Sequence, residues 1–382
     1  MRSVTVVGAS LAGVCAARAL RDQGFDGHIT MIGDEVHLPY DRPPLSKAFL
    51  LGDESTVPLD VADLDVEWRL GCAATGLSGT TVSTVSGDVS ADAVVIATGA
   101  AASRLPGTAG IDGIHVLRSL DDALALRSSL ASGVRLTVVG AGFIGSEVAS
   151  TAIRLGASVT VVEASQTPLS RVFGGELGAL IAGWHRIAGA TLLTGASVAG
   201  FVTDAGRVRA VQLADGTVIE SDVVVLGVGS VPNVGWLDGC GLEISGAVVT
   251  DQRGVTSNPA VLAVGDCAAV RDPATGAVAR DEHWTSAATR PAIAVEALLT
   301  GSSRKFAGLP YVWSDQYDAR IQFAGRHEAE SVAEIVEGDP TTGPFVALYR
   351  HGNHPVAVLA VSSPRSFGKW RRQVIDTSNL VT

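Results

Sequence analysis

The chain has 382 residues, 47% hydrophobic and 18% charged, with a formal net charge of −11. That length allows two or three domains with substantial cores, and the acidity argues against a general nucleic-acid surface, which needs a broad basic footprint. No stretch approaches the roughly 18 uninterrupted apolar residues of a membrane span, so a cytoplasmic α/β protein is expected.

In chain order, a strand at Val4–Val7 runs into Gly8-Ala9-Ser10-Leu11-Ala12-Gly13, followed by a helix over Ser10–Asp22 and a second strand at Ile29–Ile32. The apolar start has no cleavage-site pattern and reads as the first strand of a nucleotide fold. A Pro-rich loop, Leu38–Lys47, and short β-rich pieces near Val66–Leu70 and Thr81–Val85 lead to a buried strand, Ala93–Ala97, that ends in Thr98-Gly99. The turn Arg104-Leu105-Pro106-Gly107 suggests a domain crossing. The plan then repeats. Leu136–Val139 runs into Gly140-Ala141-Gly142-Phe143-Ile144-Gly145, a helix follows to about Leu155, and Ser158–Glu163 is the second strand. Val223–Leu226 closes this unit in Gly227-Val228-Gly229, and Val261–Asp266 returns the chain to the first domain. From Pro310 onward short alternating runs predict a separate C-terminal α+β piece.

The glycine signature therefore occurs twice, at Gly8 and again 132 residues later at Gly140. A strand, a glycine turn and a helix N-terminus let backbone N–H groups hold a pyrophosphate with no bulky side chain between them. One such motif is weak evidence. Two imply that the protein brings two dinucleotides together and moves electrons between them.

In the second unit Glu163 lies 23 residues after Gly140, where a carboxylate accepts hydrogen bonds from an adenosine ribose. It would also repel a 2′-phosphate, and Gln166-Thr167 offers no offsetting cation, so NADH is expected over NADPH. Gly140, Gly142, Ile144, Gly145, Glu163 and Gly229 form the expected NAD set. In the first unit Gly8, Ser10 and Gly13 make the turn, with serine at the position of the usual second glycine, and either Asp34 or Glu35 is the ribose carboxylate. Thr98, Gly99 and Asp266 complete this set, the last as acceptor for a ribityl hydroxyl of a flavin. Cys15, Cys72, Cys240 and Cys267 form no C-x-x-C pair; small buried hydrophobes in a reducing compartment is the expectation, with neither metal cluster nor dithiol relay.

Together these residues resemble the two-dinucleotide-binding flavoprotein reductases, and among them the ferredoxin reductases of bacterial oxygenase systems, with putidaredoxin and rubredoxin reductases as relatives. The distinguishing strings are Pro39-Tyr40-Asp41-Arg42-Pro43-Pro44-Leu45-Ser46-Lys47, Glu282-His283-Trp284 and Tyr311-Val312-Trp313-Ser314-Asp315-Gln316. The resemblance implies two Rossmann-like domains and a C-terminal α+β domain, as in glutathione reductase: 1–106 with 240–309 for FAD, 107–239 for NADH, and 310–382. It also implies that Arg42 and Lys47 lie near the flavin, that Glu147 approaches Lys47 and orients it, and that Trp284 shields the ring or marks the electron exit. Trp313, Asp315 and Gln316 would support the ring from the C-terminal domain. A helix starting near Thr285 would aim its positive end at the flavin, with Pro291 kinking or delaying it.

The implied acceptor is a [2Fe–2S] ferredoxin docking weakly on positive charge, with Arg280, Arg290, Arg365, Lys369, Arg371 and Arg372 as candidates. A thiol-based disulfide reductase would need a cysteine within Pro43–Lys47, and none stands there. The alternatives are an NADH oxidase or quinone reductase without a protein acceptor, and a redox sensor similar to apoptosis-inducing factor. The C-terminal domain is somewhat short for the family, and Gln166 and Thr167 stand where many relatives carry a basic residue.

Overall fold

The opening strand, Ser3–Val7, is buried from Val4 to Val7, as a parallel strand covered on both faces must be. The computed structural model describes residues 1–53, 57–303, 308–327 and 330–380, the last four by backbone alone. Their contacts gather the chain into two units: Met1–Asp41, Thr56–Ala101 and Val231–Pro310 in the first, Arg42–Ser55, Ala102–Ser230 and Tyr311–Thr382 in the second.

The first unit is built on a five-stranded sheet in the order Val261–Ala263, Ala93–Ile96, Ser3–Val7, His28–Ile32, Glu67–Arg69, with every pair parallel. Alternate residues serve opposite faces, the period of a strand. Val4 and Val6 pack with Ala16, Ala17 and Leu20 of helix Leu11–Asp22, while Val7, Val94 and Ile96 pack with Val82, Leu237 and Val248. Helix Trp284–Thr300 adds Ala294 and Val295 to the first of these cores.

A like sheet organises the second unit, in the order Ile114–His115, Val223–Leu226, Arg135–Val139, Ser158–Glu163, Thr191–Thr194, again all parallel. In both sheets the strand that leads into the glycine turn is central. From Tyr311 a five-stranded antiparallel sheet and helix Pro364–Leu380 follow. This sheet buries Phe323, Phe345, Tyr349 and Leu359 against Phe173, Leu177 and Ile181, the latter two from helix Gly175–Ile187. Alternating apolar residues from 319 and 355 onward foretell its strands Ala319–Gly325 and His354–Val361.

Two expectations need correction. Helix Trp284–Thr300 runs through Pro291 and starts seven residues before it, so the proline does not delay it; Pro291 is buried. Of the four cysteines only Cys72 and Cys267 are buried, and Cys15 and Cys240 are half-buried. No helix among the described residues is long and apolar enough to cross a membrane.

Candidate functional site

The two glycine turns share their construction. Gly8 has φ +115°, and a Cβ there would stand 2.1 Å from the Ala97 carbonyl oxygen; Gly140 has φ +100°, and a Cβ there would stand 2.3 Å from that of Gly227. The third glycines do the second job, close packing of helix on strand: a Cβ on Gly13 would lie 1.9 Å from the Gly8 oxygen, and one on Gly145 would lie 2.1 Å from the Gly140 oxygen. The middle position differs. Gly142 caps helix Phe143–Arg154, and a Cβ on it would meet open space. That free space beside a helix N-terminus fits a pyrophosphate. In the first unit the same place is held by Ser10, the N-cap of helix Leu11–Asp22, whose side chain caps no backbone N–H.

Glu163 is held at its turn. Its carboxylate accepts from the Ala141 N–H at 2.8 Å and from the Ser165 N–H at 2.7 Å, which fixes the negative charge against the glycine loop. Ile144 is 44% exposed at the start of the helix, and Gly229 accepts from the Ser103 N–H at 2.9 Å just beyond the closing strand. Of the paired candidates in the first unit, Asp34 is exposed and Glu35 takes a hydrogen bond from the Tyr40 hydroxyl.

Because Gly8 and Ala97 nearly touch, Thr98 and Gly99 follow directly beside the first turn. Asn233 holds them there: Thr98 Oγ1 donates to its carbonyl at 2.8 Å, its amide donates to the Thr98 carbonyl at 3.0 Å, and its N–H donates to Gly99. Asn233 lies outside the glycine motifs that mark the other residues of the site, although Pro232-Asn233 after a glycine-rich turn is a loop signal. Asp266 lies in the short helical turn Gly265–Cys267, and a Cβ on Gly265 would approach that of Ala12 to 2.9 Å, so the turn sits against the nucleotide helix.

Lys47 and Glu147, 100 residues apart, form an ion pair at 2.7 Å, with side chains 21% and 3% exposed. Two residues that the sequence did not single out complete the cluster: Ser46 donates to Glu147 Oε2 at 2.5 Å and Ser314 to Oε1 at 2.5 Å. Three donors, one of them cationic, thus converge on a nearly buried carboxylate, and this holds the ammonium in place. Lys47 also donates to the Pro43 carbonyl at 3.1 Å.

Trp284 opens its helix, is 38% exposed, and donates from its indole N–H to Asp41 at 2.7 Å, so two of the diagnostic strings meet. Arg42 donates to the Arg118 carbonyl. Trp313 stacks on Tyr311 with ring centroids 5.9 Å apart, while Asp315 pairs with Arg320 and buried Gln316 donates to Ser314. Among the candidate cations Arg280 pairs with Glu282, Lys369 pairs with Glu337 at 2.9 Å, and Arg371 lies over the Tyr311 ring. Arg365 and Arg372 are exposed on the last helix.

Residues 2–297 match the family of pyridine nucleotide-disulphide oxidoreductases, and residues 311–380 match the reductase C-terminal family. Putidaredoxin reductase CamA of Pseudomonas putida is 33% identical over 391 residues, which cover 98% of this chain and 92% of that protein. The ferredoxin–NAD(+) reductase subunit of the benzene 1,2-dioxygenase system, also of Pseudomonas putida, is 36% identical over 383 residues, covering 97% and 92%. The solved covalent complex of putidaredoxin reductase with putidaredoxin matches with a TM-score of 0.93 at 31% identity, over 98% of this chain and 93% of that one. The family expected from the three diagnostic strings is the one found.

Proposed function

This chain belongs to the pyridine nucleotide-disulphide oxidoreductase family and carries the reductase C-terminal domain, and on that footing we propose that it passes electrons from NADH through FAD to a small acidic [2Fe–2S] ferredoxin serving an oxygenase or haem-thiolate monooxygenase. The observation that carries this reading is the pair of glycine turns of one construction, each at the end of the central strand of its own sheet.

In this reading residues 1–106 and 240–309 hold FAD, through Gly8, Ser10, Gly13, Thr98, Gly99 and Asp266, with Asp34 or Glu35 on the ribose. Residues 107–239 hold NADH through Gly140, Gly142, Ile144, Gly145 and Gly229, and Glu163 takes the adenosine ribose. Its fixed carboxylate disfavours a 2′-phosphate. Bound FAD supplies the conversion of a two-electron hydride into two single-electron deliveries, which no side chain can perform. Lys47 presents a positive charge to the flavin, assisted by Arg42; Glu147 keeps that charge oriented. Trp284 and Trp313 supply aromatic surface for the ring, and residues 310–382 add the partner face. The cytoplasm is the expected location, in keeping with four unpaired cysteines.

Anaerobic stopped-flow mixing of the flavin-loaded protein with NADH, then with NADPH, tests the reading at flavin wavelengths. Fast bleaching by NADH alone is expected. A protein that binds no flavin, or whose flavin neither nucleotide reduces, overturns it.

A further inference from the structure

Helix Phe143–Arg154 places Glu147, Ser150 and Thr151 on one face, at i, i+3 and i+4. All three are engaged. Thr151 donates to the Ser46 carbonyl at 2.8 Å, so the segment bearing Lys47 is tied to this helix three times, through the Ser46 carbonyl, the Ser46 hydroxyl and the ion pair. Ser150 accepts from the Tyr317 N–H at 2.8 Å, and Glu147 Oε1 accepts from Ser314 at 2.5 Å, so the C-terminal hairpin is tied to the same face from its other side.

The hairpin is held in one register. Strands Tyr311–Gln316 and Ala319–Gly325 pair Ser314 with Ile321, and a slip of one residue would turn Ser314 to the opposite face. Its turn uses Tyr317 and Asp318 at φ +49° and +62°, a conformation side chains adopt at a cost unless their surroundings impose it. The imposing bonds are present: the Tyr317 N–H is on Ser150, and its hydroxyl lies 2.5 Å from Nδ1 of buried His185, whose Nε2 lies 3.2 Å from Ser146 on the Glu147 helix.

Within this frame the hydrogen bonds have a direction. Gln316, 2% exposed, donates from Nε2 to the Ser314 oxygen at 2.9 Å, which leaves the hydroxyl hydrogen of the fully buried Ser314 for Glu147 Oε1. Oε2 is then left for Lys47 and Ser46. We propose that Ser314, aligned by Gln316, is a positioning residue for the Lys47–Glu147 pair: it occupies one carboxylate oxygen so that the other stays aimed at the ammonium. Without it Oε1 is a buried acceptor lacking a donor, the carboxylate rotates to share its remaining donors, and Lys47 loses its fixed place. The inference rests on the reading of Lys47 and Glu147 as the pair that serves the flavin.

The chain has only three lysines, Lys47, Lys305 and Lys369, which makes Lys47 measurable. Trace reductive methylation of the FAD-loaded protein, quantified by peptide mass spectrometry, reads the labelling of Lys47 against the 60% exposed Lys369. Ser314→Ala is expected to raise that ratio several-fold and to slow flavin reduction by NADH about tenfold, the worth of one hydrogen bond to a charged group. Ser314→Thr should restore both. Gln316→Met, which removes the aligning amide and keeps the serine, should move the ratio in the same direction and serves if Ser314→Ala does not fold. An unchanged ratio in the folded variants overturns the positioning role. Glu147→Gln separates the two levels: slow flavin reduction there, beside an unchanged ratio in Ser314→Ala, keeps the reading of the pair and overturns the role of Ser314. Normal flavin reduction in Glu147→Gln beside a raised ratio in Ser314→Ala does the reverse.

Discussion

Glu163 and His185 are polar side chains of the same sheet-and-helix unit, set in different surroundings. Glu163 is held at the glycine loop because two backbone N–H groups donate to its carboxylate. Removing it with Glu163→Ala should raise KM for NADH by roughly tenfold or more, as loss of hydrogen bonds to a charged group does, with kcat little changed and discrimination against NADPH weakened. Steady-state kinetics with ferricyanide as acceptor check this; an unchanged KM would remove Glu163 from the binding site. His185 is 2% exposed, and burial, aided by the neighbouring Arg186, pushes its imidazole down to about 4. An unfolded histidine protonates near 6.5, so the folded chain refuses a proton that the unfolded chain accepts between those values. The resulting stability is fully present above about pH 6.5 and is lost as pH falls to about 4, an effect of about 3 kcal/mol. His185→Gln should therefore show a flatter fall in urea stability between pH 7 and 4.5 than the parent protein. Parallel profiles would show that His185 is not responsible for acid loss. Residues such as Glu163 were legible because the signal is local, a carboxylate at a set spacing from a glycine turn. Ser46 and Ser314 were not, since their shared partner lies 101 and 167 residues away in sequence.

At the scale of elements, the strand–turn–helix units follow from local rules. Apolar strands buried on both faces, glycines where backbones nearly touch, and a helix begun at once after the turn leave little freedom, and the sequence places Ser158–Glu163 and Val223–Leu226 at their observed bounds. The same rules separate two substitutions three residues apart. Gly145→Ala sets a methyl against the Gly140 carbonyl and should lower thermal stability clearly, whereas Gly142→Val projects into open space and should leave the melting temperature nearly unchanged while raising KM for NADH. Differential scanning fluorimetry beside NADH titration distinguishes them, and equal stability losses would refute the assignment of separate packing and binding roles. The hairpin Tyr311–Gly325 marks where local rules stop. Its two-residue turn is Tyr-Asp with no glycine, so no hairpin signal announces it; bonds to Ser150 and His185 hold the left-handed turn that the local sequence disfavours.

For the whole molecule the deciding quantity is charge. On the proposed reading a protein of net charge −11 meets an acidic ferredoxin and is repelled at long range, so any attraction must be local. Several candidate cations already have partners: Lys369 sits on Glu337, whose carboxyl is held at about 2 chiefly by the Ser366 hydroxyl and then by Lys369 and Trp370, and Arg280 sits on Glu282. Such pairs contribute little net field, although a partner carboxylate can still compete for the guanidinium at contact distance. The two ranges respond differently to salt, since the screening length falls from about 30 Å at 0.01 M to about 10 Å at 0.1 M. Added salt first removes the distant repulsion and only later weakens close pairs. KM for ferredoxin should therefore fall and then rise as ionic strength increases. In Arg280→Glu the local attraction is gone, so KM should be higher throughout and fall monotonically with salt, while ferricyanide reduction, which needs no docking surface, is spared. A variant that keeps the biphasic profile would move the docking charge away from Arg280 and towards exposed Arg365 and Arg372 or to Arg290. Equal losses with both acceptors would instead assign Arg280 to the path of the electrons, because only a step shared by the two acceptors can slow them alike.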